Sequence, residues 1–108
     1  MKAKKRAKKL DSEELCFLPA LKLRDGIRKK FVSPVEVIKT FLDRIEKINP
    51  IIHAYCTIVP ELALKLARRA EAEIMRNKSK MGMLHGVPVS IKDVTLTAGI
   101  RTTFGSKL

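Results

Sequence analysis

One lysine in this sequence stands where lysines are seldom found. Gly86, Val87, Pro88, Val89, Ser90, Ile91, Lys92 and Asp93 alternate aliphatic with small or polar residues, and Lys92 closes the run. Period two predicts a strand over 86–93, with Ser90 and Lys92 on one face and the aliphatic residues on the other. Burying an ammonium is costly. On one reading Lys92 pairs with Asp93 or Asp25, or reaches water past the strand end, as charged strand ends usually do. On the other it is a buried lysine, neutral enough to accept a proton. His85, just before Gly86, could serve as a general base, although a lone loop histidine usually does not. His53 reads as a satisfied polar residue within an apolar stretch. Ser12, Ser33, Ser79, Ser90 and Ser106 lack the G-x-S-x-G elbow of a hydrolase nucleophile. Paired glycosidase carboxylates, a Gly-rich phosphate loop and a metal-ligand cluster are all missing from the pattern. Cys16 and Cys56 stand 40 residues apart and cannot build a zinc site, so the chain reads as reduced and intracellular.

The elements that must position Lys92 are few, because 108 residues hold at most one domain. Hydrophobic residues make up 45%, too many for a disordered chain. No run approaches the ~18 apolar residues of a membrane span. With no Trp, one Tyr and four Phe there is little for a base-stacking platform. The net charge of +12 is uneven: Lys2, Lys4, Lys5, Arg6, Lys8 and Lys9 carry half of it. No apolar core follows this block, so it is not a signal peptide. It reads as a solvated, disordered extension that could hold phosphate weakly. The remainder is a mildly basic domain for which nucleic acid is not an expected partner.

Three helices and two strands follow. Ala20, Leu23, Ile27 and Phe31 have helical spacing, in a helix weakened by Gly26. Ser33, Pro34, Val35 and Glu36 read as N-cap, N1, N2 and N3: a capping box on a proline start, with Val32 and Val37 at the staple positions. The stripe Ile38, Phe41, Leu42, Ile45 and Ile48 then runs to Asn49 and Pro50, an expected stop. Residues 51–59, rich in β-branched and aromatic side chains, predict a strand. A third helix is expected over 61–77, with Ala63, Leu66 or Ala67, Ala70 and Ile74 on its stripe. Beyond a polar loop and the 86–93 strand, residues 97–108 carry turn glycines Gly99 and Gly105. Helix, strand, helix, strand is α/β grammar. Two strands alone are marginal in water, so the chain reads as the first part of a larger, truncated domain.

Two blocks, GMLHGVPVSIKD at 82–93 and TAGIRTTFGSKL at 97–108, resemble the amidase signature family. The upstream order agrees: a helix after FVSPVEV, then DRIEKINP, HAYCTIV and the Ala-rich ELALKLARRAEAE. The resemblance covers 18–108; residues 1–17 form a basic extension outside it. It implies an α/β fold, a large mixed sheet covered by helices, of which this is the N-terminal section. It also implies a carbon–nitrogen bond hydrolase using a Ser-Ser-Lys triad, with Lys92 as the base. The bridging and nucleophilic serines lie further along in the family, and Ser90 and Ser106 do not occupy those motifs. The chain alone is therefore expected to be inactive. The implied partner is a small amide substrate, with no metal or organic cofactor and a cytoplasmic location. One branch of the family is the A subunit of the glutamyl-tRNA(Gln)/aspartyl-tRNA(Asn) amidotransferase, in which Asn is expected after the IKD aspartate. Val94 stands there instead, which favours a general amidase over the amidotransferase. The reading from another class is a noncatalytic remnant or binding module.

Overall fold

The computed structural model describes residues 10–76 and 81–108, so the basic block at 2–9 lies outside the described residues. Four helices follow in order: α1 (Ser12–Cys16), α2 (Ala20–Arg28), α3 (Pro34–Ile52) and α4 (Pro60–Met75). Residues 81–108 are irregular chain.

Helix starts are written in local chemistry. Ser33 accepts from the Glu36 amide at 3.1 Å, and the Glu36 carboxylate accepts from the Ser33 amide at 3.2 Å. Pro34 stands at N1, where its missing N–H leaves no bond unmade. The same device, spelled with Asp11 and Glu14, opens α1 at 2.8 and 3.1 Å. That second capping box lies within the segment assigned to the extension, masked there by the neighbouring lysines. Packed structure accordingly begins before residue 18. Leu15 of α1 is buried, in one cluster with Leu23 and Ile27 of α2, Val37 of α3 and Ile74 of α4. Leu18, Val32, Phe41, Met81 and Val87 lean against this cluster. On α4 the buried stripe passes through Ala67 and leaves Leu66 half exposed, at 52%.

Helix α3 does not stop at Asn49 and Pro50 but continues to Ile52. Pro50 removes its own N–H, yet it leaves Ile51 and Ile52 free to donate, so the last turn still forms. His53 closes it in the left-handed region at φ 50°, donating its amide to the Asn49 carbonyl at 2.7 Å. The Asn49 side chain then grips the Tyr55 backbone, accepting from its N–H at 2.8 Å and donating to its carbonyl at 3.1 Å.

The expected α/β architecture, a large mixed sheet covered by helices, is overturned. The described residues contain no strand, and the only pairing among them is an isolated antiparallel bridge between Thr97 and Ile100. Over 51–59 the first two residues belong to α3 and the rest is irregular before α4 begins. Over 86–93 the alternation is present in sequence but finds no neighbour to pair with. Val87 is half-buried against the helices, whereas Val89 is 83% and Ile91 54% exposed. Period two states which side chains share a face. It does not supply the second backbone that turns an apolar run into a ladder.

Candidate functional site

The segment bearing Lys92 is anchored upstream on the helices. His85 places Nε2 3.0 Å from the Ala70 carbonyl of α4, with a Glu73 carboxylate oxygen at 3.7 Å. A carbonyl only accepts, so Nε2 carries the proton and donates. His85 is thus a strut between loop and helix, and its ring nitrogen is not free to act as a base at that position. Arg28 of α2 reaches the same loop, donating to the Gly82 carbonyl at 3.3 Å.

Gly86 follows at φ 82°. A Cβ there would stand 2.9 Å from Pro34 Cγ and 3.3 Å from Ile27 Cγ2. Both the left-handed backbone and the close approach of the loop to α2 and α3 require glycine. Gly86→Ala should therefore destabilise the chain by at least ~1–2 kcal/mol from the backbone alone, lowering the thermal midpoint in circular dichroism. An unchanged midpoint would show that the loop does not sit on Pro34 as described.

From Val89 to Lys92 the chain runs exposed. Ser90 and Lys92 are both exposed. Neither of the pairings offered for Lys92 forms: Asp25 pairs with Arg24 at 2.9 Å, and the Asp93 carboxylate faces away into its own loop. Among the described residues no hydrogen bond or ion pair reaches the Lys92 side chain, which extends into water. Its carbonyl accepts the Thr95 amide at 2.9 Å and starts the next turn.

Asp93 is the residue that spacing did not single out. Its Oδ1 accepts the Thr103 amide at 2.8 Å; its Oδ2 accepts the Thr103 hydroxyl and, at 3.3 Å, the Gly105 amide. Its backbone carbonyl accepts the Phe104 amide at 3.0 Å. Phe104 and Gly105 turn these amides inward by adopting left-handed backbone at φ 53° and 73°. The pairing of IKD with TTFGS carried the signal: a short acid followed ten residues later by hydroxyls and a glycine.

The Thr103 hydroxyl and amide, helped by the Gly105 amide and the Arg101 charge, hold the Asp93 carboxyl below its ordinary value against the opposing effect of desolvation. These donors favour the ionised form. A depressed carboxyl contributes its stabilisation above the unfolded value and loses it as pH falls through the lower, folded one. Amide exchange at Thr103 and Gly105 should thus stay protected from neutral pH down to the ordinary carboxylate range and lose protection only below it. Protection lost already near pH ~5, above the ordinary carboxylate range, would contradict the clasp.

Cys16 and Cys56 are free thiols. Burial pushes the half-buried Cys16 thiol up despite the Arg44 charge nearby, which suits a packing residue better than a nucleophile. Among the described residues no cluster of His, Cys, Asp or Glu could hold a metal ion, and no helix is long and apolar enough to cross a membrane.

The family model for Amidase matches residues 36–108, the stretch that holds Lys92, Asp93 and the loop they close. The A subunit of glutamyl-tRNA(Gln) amidotransferase from Carboxydothermus hydrogenoformans is 48% identical over 95 residues, 88% of this chain and 19% of that protein. Its namesake from Geobacter metallireducens is 41% identical over 95 residues, again 88% of this chain and 19% of the relative. AmiD of Mycobacterium tuberculosis, whose name places it among amidases, is 35% identical over 100 residues, 93% of this chain and 21% of its own. Matches of 95 residues cannot fit within 18–108, so they take in part of 1–17 as well. No solved structure matches the chain. The chain spans about a fifth of the length of these relatives, and with the family's match running through most of its residues, it belongs to the amidase family.

Proposed function

We propose that this chain contributes the proton-accepting lysine, Lys92, to an amidase-type carbon–nitrogen bond hydrolase. The observation that carries the reading is the family match over 36–108, which contains the IKD lysine and the TTFGS loop clasped to its neighbour. In a Ser-Ser-Lys triad the neutral lysine takes a proton from the bridging serine, which takes one from the nucleophilic serine. The nucleophile attacks the amide carbonyl, the nitrogen leaves with a proton, and the acyl-enzyme passes to water. The two serines belong to segments other than those present here, and Ser90 and Ser106 play neither part.

A second reading is favoured by the relatives. The matches at 48% and 41% identity carry the name of an amidotransferase, while AmiD stands at 35%. These identities support the amidotransferase reading, whereas Val94 supports a general amidase. On this reading the ammonia freed from the amide is passed on to a glutamyl-tRNA, not lost to water.

Both readings are tested by one chimaera: this chain replacing the segment it matches in the Carboxydothermus protein. Ammonia release from glutamine or a simple amide is measured with Lys92 intact and with Lys92→Ala. Release that depends on Lys92 supports the assignment; release at an equal rate without it overturns the assignment. Transfer of nitrogen to glutamyl-tRNA separates the amidotransferase reading from the hydrolase.

A further inference from the structure

Lys92 hangs between two anchors of unequal distance. Upstream, the chain leaves the helices at Val87, and Val89, Ser90 and Ile91 are all exposed after it. Downstream, Asp93 is adjacent to the lysine and is fixed to residues far along the chain by four bonds: from the Thr103 amide, the Thr103 hydroxyl, the Gly105 amide and the Phe104 amide. The Thr95 amide bonded to the Lys92 carbonyl at 2.9 Å lies within the same closed loop. Positional error grows with the length of free chain between a residue and its anchor, and a general base must reach its proton within about 2.6–3.2 Å.

We infer that Asp93 is a positioning residue for Lys92, closing the 93–105 loop through Thr103 and Gly105 and so fixing the backbone that carries the lysine. The carboxylate does not itself take a proton in the reaction, since three donors already occupy it. The exposed Arg101 lies close enough to add favourable charge, but it makes no bond that closes the loop. The catalytic part of this inference rests on Lys92 being the base; the mechanical part does not.

The test uses the 15N-labelled chain, wild type against Asp93→Ala, Asp93→Asn and Thr103→Val. Asp93→Ala should speed amide exchange at Thr103 and Gly105 by roughly tenfold or more, the effect of losing one net hydrogen bond, and should lower the heteronuclear NOE at Lys92. Asparagine keeps the oxygen that meets the Thr103 amide but turns an N–H toward Gly105, so Asp93→Asn should recover only part of the order. Thr103→Val, which leaves the charge beside Lys92 in place, should loosen Lys92 in the same direction. Amides of Ile27 and Val37 should not change. Unchanged exchange and order at Lys92 in Asp93→Ala would overturn the inference. So would loss of protection at Ile27 and Val37 in both Asp93→Ala and Thr103→Val, because the carboxylate would then be holding the whole fold. In the chimaera, Asp93→Ala should lower kcat with KM unchanged and Asp93→Asn should restore part of kcat. If Lys92→Ala proves harmless there, the base assignment fails while the exchange experiment still decides the clasp.

Discussion

Ammonia release by the chimaera should fall by roughly 10²–10⁴-fold on Lys92→Ala, the span that a positioned proton acceptor contributes. Lys92→Arg should not rescue it. Arginine preserves length and positive charge, but its guanidinium does not give up a proton in a protein, so it cannot act as a base. A purely electrostatic role, such as holding an anionic substrate, would instead be restored by arginine. Neither variant should disturb folding, since the Lys92 side chain is exposed and bonded to no described residue; surface changes of this kind stay within about 0.5 kcal/mol. Circular dichroism of each variant makes that check. The same exposure says why the isolated chain should release no ammonia. A lysine that acts as a base needs a site closed to water, and no described residue covers the Lys92 side chain. Full activity with arginine at 92 would remove the lysine from the role of proton acceptor.

Ile27→Ala should cost about 2–5 kcal/mol and abolish cooperative melting. Ile27 is 1% exposed and lies in the cluster that joins α1, α2, α3 and α4, where Gly86 also makes its close approach. A cluster of only five buried side chains puts the chain at the low end of the ordinary range of stability, about 5 kcal/mol, so the loss is comparable with the whole. Large apolar side chains left uncovered, Leu96 at 77% and Val89 at 83% exposed, add nothing to that sum. Leu96→Ala is the matched control and should leave the melt within about 0.5 kcal/mol of wild type. Far-ultraviolet circular dichroism against temperature reads both. A cooperative melt retained in Ile27→Ala would mean that the stability resides elsewhere than in this cluster.

The sequence by itself determined the helices that hold the site. Ser33, Pro34 and Glu36 start α3 where their types demand, and Val32 and Val37 enter the core as staple positions do. Capping is settled within four residues of chain, so it is legible without any knowledge of the rest. The Asp11 and Glu14 box was equally local, and a charge block beside it obscured it. Lys92 could be singled out from the residue types around it, and its family from two blocks in order. What lies around Lys92 was decided by tertiary structure alone. Whether 86–93 becomes a strand depends on a partner backbone that no alternation encodes, and here the described residues provide none. His85 became a strut because α4 brings the Ala70 carbonyl to it, across a separation that spacing does not register. Asp93 could not be told from a solvated acid until Phe104 and Gly105 turned left-handed and aimed their amides back at it. Local hydrogen bonds and steric preferences are properties of a short stretch of chain, whereas pairing, burial and the aim of a carboxylate are properties of what the fold brings beside it.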